Sequence, residues 1–410
     1  MIASLLLWGL AWGGVFTGLY NLQPLPSLSD PLAVFQGARA ILPVAATYIC
    51  VLWALASRSR FRLAGTSLGF FVYYAVLGLA TSIFFSPDRA TALYWASAYL
   101  APLLVAWFVI ERPEPLPILR TILRLNGGIV LALLLAVLPE AYRFGFGRST
   151  RFEIYHMPFG LGEVRANGVG RYALIVLIMA GVSLATSASK KRFLWLPLAA
   201  PAVVILMQTQ SRSALLGLAV ASMLFIVIRG LDLRFLLAGP AAAYVIYVSG
   251  ITWRAKGALS SLVFLTGRDN TWKRGLARIG ESPFFGWGFH ADRLLINEEH
   301  MHNSYLHAGI QAGVPGALLF AAGMIVFWAF LVKSGVLRRI RTAAPPDRGL
   351  LTASVLVLGF LTARSVFEST AAFYGIDLLL LVPAVAYVYQ WAYDHPEPER
   401  GSGPEPEPAP

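Results

Sequence analysis

The chain alternates between long apolar runs and mostly short polar intervals, and the longest polar interval is 252–304. The apolar runs are about 17–25 residues in length, which is enough to cross a hydrocarbon core as helix. Most of them lack the polar residues at every second turn that a soluble helix shows. We therefore predict an all-α polytopic membrane protein of about twelve transmembrane helices, at residues 2–21, 33–57, 63–85, 91–110, 118–138, 169–187, 193–209, 213–229, 235–251, 305–332, 349–366 and 372–393.

These runs divide the chain into four parts. Residues 1–251 hold helices 1–9, residues 252–304 form one large loop domain with amphipathic helices, and residues 305–393 hold helices 10–12. The tail 394–410 is rich in Pro, Glu and Gly, a composition typical of disorder. The hydrophobic fraction of 57% and the charged fraction of 13% agree with a membrane protein.

The distribution of cations predicts the orientation. The short loops after helices 2, 4, 6, 8 and 10 are rich in Lys and Arg, which places them on the cytoplasmic side together with both termini. The long loops 139–168 and 252–304 then face outward, yet they are basic as well. Outward cations at membrane level indicate an anionic ligand, such as the phosphates of lipid carriers or the headgroups of membrane lipids.

Two arginines and a histidine are the main candidates for binding and catalysis. Arg212 lies in a polar turn between two apolar runs, where it either holds a phosphate or only extends to the membrane interface. Arg268 opens a predicted amphipathic helix whose first turn can bind an anion, unless its cations only contact headgroups. His302 begins the tenth helix, and its imidazole is either a base for a sugar hydroxyl or a structural hydrogen-bonding group.

A metal site is considered because four histidines lie close in sequence. They are His290, His300, His302 and His307, but none of their spacings resembles HExxH and the single cysteine is distant. We therefore predict no metal and no cofactor, and no nucleic-acid partner. Near the eleventh helix, Arg364 and Glu368 have the i, i+4 spacing of a structural ion pair, provided that the helix extends that far.

Three stretches resemble the O-antigen ligase/polymerase superfamily of membrane glycosyltransferases: TQSRSALLG (209–217), TGRDNTWKRGLARIGESPFFGWGFH (266–290) and HNSYLHAGIQAGVPGALL (302–319). The resemblance implies transfer of a glycan from undecaprenyl pyrophosphate without a metal or a nucleotide sugar. It implies that Arg212 and Arg268 bind the pyrophosphate and that His302 is catalytic. Arg165 and Arg171 flank a stretch that departs from the usual form of another family motif. Arg274 and Asn303 complete the predicted substrate-binding set.

The acceptor distinguishes the branches of that superfamily. The single large loop and the basic outward face favour an O-antigen ligase, which transfers the glycan with inversion to a lipid A–core acceptor at the periplasmic face of the bacterial inner membrane. An O-antigen polymerase and a protein O-oligosaccharyltransferase are the alternatives within the superfamily. A transporter or flippase for an anionic lipid is the alternative from another class, although the chain has no internal repeat and no nucleotide-binding loop.

Overall fold

The computed structural model describes residues 1–16, 31–58, 62–63, 65–144, 154–158, 162–231, 268–296 and 300–396. Their α-helices are α1 (Ile2–Gly13), α2 (Pro31–Ser57), α3 (Ser67–Phe84), α4 (Arg89–Ile110), α5 (Pro115–Phe144), α6 (Ala166–Thr186), α7 (Leu196–Thr209), α8 (Arg212–Arg229), α9 (Arg268–Glu281), α10 (Ala291–Leu295), α11 (Ser304–Lys333), α12 (Val336–Arg339), α13 (Pro345–Ser365) and α14 (Ile376–Asp394). A 3-10 helix, Lys190–Trp195, precedes α7, and the antiparallel strands β1 (Ile154–His156) and β2 (Glu163–Arg165) form a hairpin before α6.

The helices confirm an all-α polytopic membrane protein. Among the described residues nine helices are long and apolar enough to cross a membrane, and the apolar α1 is shorter. Every predicted span except the ninth has a helix at its place. The ninth, 235–251, and the loop residues 252–267 lie outside the described residues, as does most of the tail predicted to be disordered. The small β-hairpin was not predicted.

The bundle buries apolar side chains between its helices and also exposes large apolar side chains on its outer surface. Helix α3 packs on α11, α8 packs on α13, and α14 packs on α4, α5 and α13. One face of α2 exposes large apolar side chains, including Ile41 and Leu55, as expected of a helix facing lipid. Buried polar contacts join helices as well, because Asn126 accepts from the indoles of Trp8 and Trp12 and donates to Leu379 O.

The polar contacts separate two ends of the bundle. At one end the cationic short loops meet: Arg120 forms a bidentate pair with Asp347 at 2.7 and 2.9 Å, and Arg341 donates to the last carbonyls of α8. The starts of α6, α8 and α11 and the segment between α13 and α14 lie at the other end. That end also holds the described part of the large loop.

A kink in α11 receives the loop that follows α9. Ala312 and Gly313 leave helical geometry, and Gly313 has φ +66°. The backbone of residues 283–288 bonds to the kink: Trp287 N donates to Ile310 O at 2.9 Å and Val314 N donates to Pro283 O at 2.7 Å. A Cβ at Gly313 would lie 2.6 Å from backbone atoms of this loop, so glycine is required by conformation and by space. The loop between α9 and α10 is therefore anchored in the bundle.

Candidate active site

A buried carboxylate, Glu368, connects three polar side chains at this end of the bundle. Its Oε1 accepts from Arg268 Nη2 at 2.8 Å and from Asn167 Nδ2 at 2.9 Å. Its Oε2 lies 2.9 Å from His302 Nδ1. The side chain of Glu368 is 9% exposed, whereas that of His302 is 34% exposed. The group is therefore enclosed on the carboxylate side and open on the imidazole side.

Ends of secondary-structure elements position these residues. Helix α13 ends at Ser365, so Glu368 lies in the connection to α14. Its backbone oxygen accepts from Ser304 Oγ at 3.0 Å, which ties this connection to the first residue of α11. Just before that helix, His302 adopts φ +49°, and Asn303 caps the helix by accepting from the N–H groups of Tyr305 and Leu306.

The charges around Glu368 keep it ionised. Burial alone would raise the pKa of this carboxyl, but the hydrogen bond with His302 and the charges of Arg364, His302 and Arg268 outweigh burial and lower the pKa to about 2. An ionised carboxylate can only accept, so Nδ1 of His302 carries a hydrogen toward it. In the neutral imidazole, Nε2 is then the nitrogen that accepts a proton.

A second buried carboxylate, Asp377, holds two further arginines. Arg171 Nη1 lies 2.8 Å from Asp377 Oδ1, and Arg364 Nη1 contacts Asp377 Oδ2. The prediction that Arg364 pairs with Glu368 is therefore wrong, because the helix ends at Ser365 and the carboxylate partner of Arg364 is Asp377. Arg171 is 13% exposed and already compensated inside the protein, which favours an internal structural role for it.

The other predicted site residues occupy different positions. Arg212 is half-buried at the first turn of α8, and the turn before it packs against α6, where a Cβ at Gly170 would meet Ser211 at 3.0 Å. Arg165 is exposed at the end of β2, and Arg274 is exposed on α9. The side chain of Asn303 caps α11 and donates to Val366 O at 3.0 Å. Of the predicted set, the structure joins Arg268 with His302, through Glu368.

A second polar group lies beside this site, at Asp292, His300 and His307. Nδ1 of each imidazole is 3.2 Å from Asp292 Oδ2. One ligand atom from each of the three residues lies within 4.8 Å of the others, so the group could hold a metal ion. Burial lowers the pKa of His300, and it lowers that of the neighbouring His290 to about 4. The predicted absence of a metal remains a prediction, which this group makes worth testing.

Several of these partners were missed from the sequence. Asp377 and Asn167 had no assigned role, Glu368 was assigned to the wrong partner, and Asp292 was overlooked among the histidines. Acidic groups within or beside apolar runs are costly and rarely lack a partner, so Asp377 carried a usable signal. The positions of Asn167 and Asp292 depend on how distant segments fold together.

Part of the chain that contributes to this site is similar to a known protein family. Residues 197–321 match the family model described as O-antigen ligase. This part of the chain is similar to the O-antigen ligase family. No curated protein matches the chain. The matched segment contains Arg212, Arg268 and His302, whereas Glu368 and Asp377 lie outside it and reach the site through the fold.

Proposed function

We propose that the protein is an O-antigen ligase that transfers a glycan from undecaprenyl pyrophosphate to a lipid A–core acceptor at the periplasmic face of the bacterial inner membrane. The family match supports a glycosyltransferase-like ligase with lipid-linked substrates. The observation that carries the proposal is the bond of both Arg268 and His302 to one ionised carboxylate, Glu368. A group suited to binding phosphate and a proton acceptor, both partly exposed, are thereby held by the same side chain.

Arg268 stabilises the leaving group in this mechanism. A glycosyl pyrophosphate is already activated, and the barrier comes from charge that builds on the departing pyrophosphate. The Arg268 side chain is 22% exposed, and its bond to Glu368 uses one of five N–H donors. Donors placed in advance where charge develops typically contribute about 10²–10³ in rate each. Arg212, at the first turn of α8, is the second arginine that we assign to the pyrophosphate.

His302 acts on the acceptor. Its Nε2 takes the proton of the acceptor hydroxyl while the hydroxyl oxygen forms a bond to the anomeric carbon. The bond from that carbon to the pyrophosphate oxygen breaks, and its electron pair leaves with undecaprenyl pyrophosphate. Direct displacement inverts the anomeric configuration. Glu368 holds the imidazole in the tautomer that this step requires, as an orienting carboxylate does in a catalytic triad.

The test is transfer by the purified protein in lipid nanodiscs with a defined undecaprenyl-pyrophosphate glycan. Lipid A–core, a second lipid-linked repeat and a Ser/Thr peptide are offered in separate reactions. We expect release of undecaprenyl pyrophosphate and glycan transfer with lipid A–core, and loss of both in His302→Ala and Arg268→Ala. Transfer only to the lipid-linked repeat or only to the peptide would assign the protein to another branch of the superfamily. No release with any acceptor would contradict glycan transfer altogether.

A further inference from the structure

We propose that Asp292, His300 and His307 bind a divalent transition-metal ion of the zinc class. Two imidazoles and one carboxylate are a ligand set that zinc accepts, with water in the fourth position. The group is assembled by tertiary structure, because Asp292 lies in α10, His300 precedes the large kinked helix, and His307 lies in the first turns of that helix. This proposal is independent of the transfer reaction.

The two distances from Asp292 to the imidazoles are close to those around such an ion. A tetrahedral zinc ion with bonds of about 2.0–2.2 Å separates its ligand atoms by about 3.3–3.6 Å. Asp292 Oδ2 lies 3.2 Å from Nδ1 of His300 and 3.2 Å from Nδ1 of His307. Charge-assisted N–H···O hydrogen bonds are usually shorter, at about 2.7–2.9 Å. Both nitrogens point to one carboxylate oxygen at the spacing of a coordination shell.

The tautomer of His307 supports the same conclusion. The hydroxyl of Tyr74 contacts both Gln311 Oε1 and Ala372 O, but it has a single hydrogen to donate. Both contacts are satisfied when the Gln311 carboxamide is turned, so that its NH₂ donates to Tyr74 and its oxygen faces His307 Nε2, 2.6 Å away. Nε2 of His307 then carries the hydrogen.

Nδ1 of His307 therefore presents its lone pair toward Asp292 Oδ2, and Ser369 Oγ lies 3.2 Å from the same nitrogen. The serine hydroxyl can donate to Nδ1, but the lone pairs of Nδ1 and of the carboxylate oxygen still face each other, and a cation between them would remove that repulsion. An imidazole that binds a metal through one nitrogen usually donates the hydrogen of its other nitrogen to an oxygen acceptor. Gln311 has the position of such a partner.

The site has space for metal-bound water and has polar atoms that could hydrogen-bond to that water. A cavity of about 40 Å³ adjoins the group, and its wall includes Asp292, His290 and Gln311. A single water needs roughly 10–15 Å³ of such space. Asp292 Oδ1 and His290 Nε2 are buried and have no hydrogen-bond partner within the described part of the chain. They are the groups that metal-bound water would contact.

The ion would fasten the end of the large loop to the bundle. His300 is two residues before His302, and their ring centroids lie 6.2 Å apart. Because the side chains of Asp292 and His307 are 1% and 2% exposed, the ion lies beneath the opening where substrates would bind. It positions the segment that carries His302 and makes no contact with the reacting atoms.

The decisive measurement is metal content. Wild-type protein is purified with a tag that contains no histidine, loaded with zinc, dialysed against chelator-treated buffer and analysed by mass spectrometry. We expect about one zinc per chain in the wild type and in the control His395→Ala, whose histidine lies at the end of α14. His300→Ala and Asp292→Asn should lose it, and Gln311→Ala should bind about 10–100-fold more weakly.

Titration of the wild type gives a test that does not depend on the folding of any variant. Zinc should raise its Tm where magnesium at equal concentration does not, and cobalt should give the intense visible bands of a four-coordinate site. If the wild type retains no more zinc than His300→Ala and shows no cobalt spectrum, the proposal is overturned and a proton on His307 accounts for the geometry. Equal zinc in the wild type and in a folded Asp292→Asn variant would overturn it as well.

Discussion

Replacing Glu368 by glutamine should abolish most of the transfer activity while the chain still folds. Glutamine has the size of glutamate and can still accept from Arg268 and Asn167, so two of the three contacts of this residue survive. The contact with His302 changes most. A carboxylate only accepts a hydrogen, whereas a carboxamide can present either its oxygen or its NH₂ to Nδ1. With NH₂ facing Nδ1, Nε2 carries the hydrogen and cannot take a proton.

The size of the effect follows from comparable chemistry. In the serine protease triad, replacing the orienting aspartate by asparagine costs about 10⁴ in kcat, a value established for that system. His302 is more exposed and has fewer neighbours to hold it in the wrong tautomer, so we expect a loss of about 10²–10⁴. This corresponds to about 2.7–5.4 kcal/mol of transition-state stabilisation at 1.36 kcal/mol for each factor of ten.

The assay is initial-rate release of undecaprenyl pyrophosphate in nanodiscs, with kcat and KM measured separately. The matched control is Glu281→Gln on α9, whose glutamate is half-exposed and pairs only with Arg278 of the same helix among the described residues. We expect kcat of Glu368→Gln to fall while KM for the donor changes less, because Arg268 keeps a partner. An unchanged kcat in a folded Glu368→Gln variant would refute the orienting role, and equal losses in both variants would show a general effect of charge.

Other predictions concern the same end of the bundle. His302→Ala should lower kcat for product release by about 10²–10⁴ without lowering Tm by more than a few degrees. Arg268→Ala should lower kcat for product release by about 10²–10³, and Arg268→Lys should recover part of that loss. The pKa of Glu368 in the folded protein, about 2, is lower than that of an unfolded glutamate, so the ionised side chain stabilises the fold above about pH 4.5. On the order of 3 kcal/mol of this stability should be lost as the pH falls towards 2, as measured by unfolding in detergent. The loss should be smaller in Glu368→Gln. Gly313→Ala should destabilise the protein by more than the roughly 1–3 kcal/mol of backbone strain, whereas Gly128→Ala, with open space around it, should not.

Hydrophobic length carries enough information to locate most of this fold. In lipid, an apolar run must pair its own backbone N–H and C=O groups, and it does so mainly by forming a helix. The run 91–110 therefore locates α4 to within a few residues. The polar turn 208–213 likewise places Arg212 at the start of a helix, because Ser211 is a residue type that caps helices and does cap α8. The hydrophobicity of neighbouring residues and the capping residue determine these helix positions, and both can be identified from the sequence.

Contacts between residues that are distant in sequence cannot be identified in this way. The spacing of Arg364 and Glu368 suited a pair on one helix, but α13 ends between them and each finds a partner from another element. Asn303 is predicted to bind substrate, and the structure adds a contact that the sequence does not show, because its side chain caps the helix. Polar side chains at helix ends have several possible partners, and packing of the whole bundle selects among them.

The two buried carboxylates also explain how the arginines at this end of the bundle are stable without a bound anion. Arg268 and Arg364 both lie close enough to Glu368 for their charges to lower its pKa, and without an anion these two charges would repel in a poorly hydrated region. Glu368 and Asp377 supply that charge from inside the fold, so the arginines are held in place rather than dispersed in solvent. In the proposed reaction, a donor pyrophosphate would meet cations that are already oriented and need little rearrangement as negative charge develops on it. Because Glu368 contacts both Arg268 and His302, the geometry that receives the leaving group and the geometry that receives the acceptor proton are set by the same side chain.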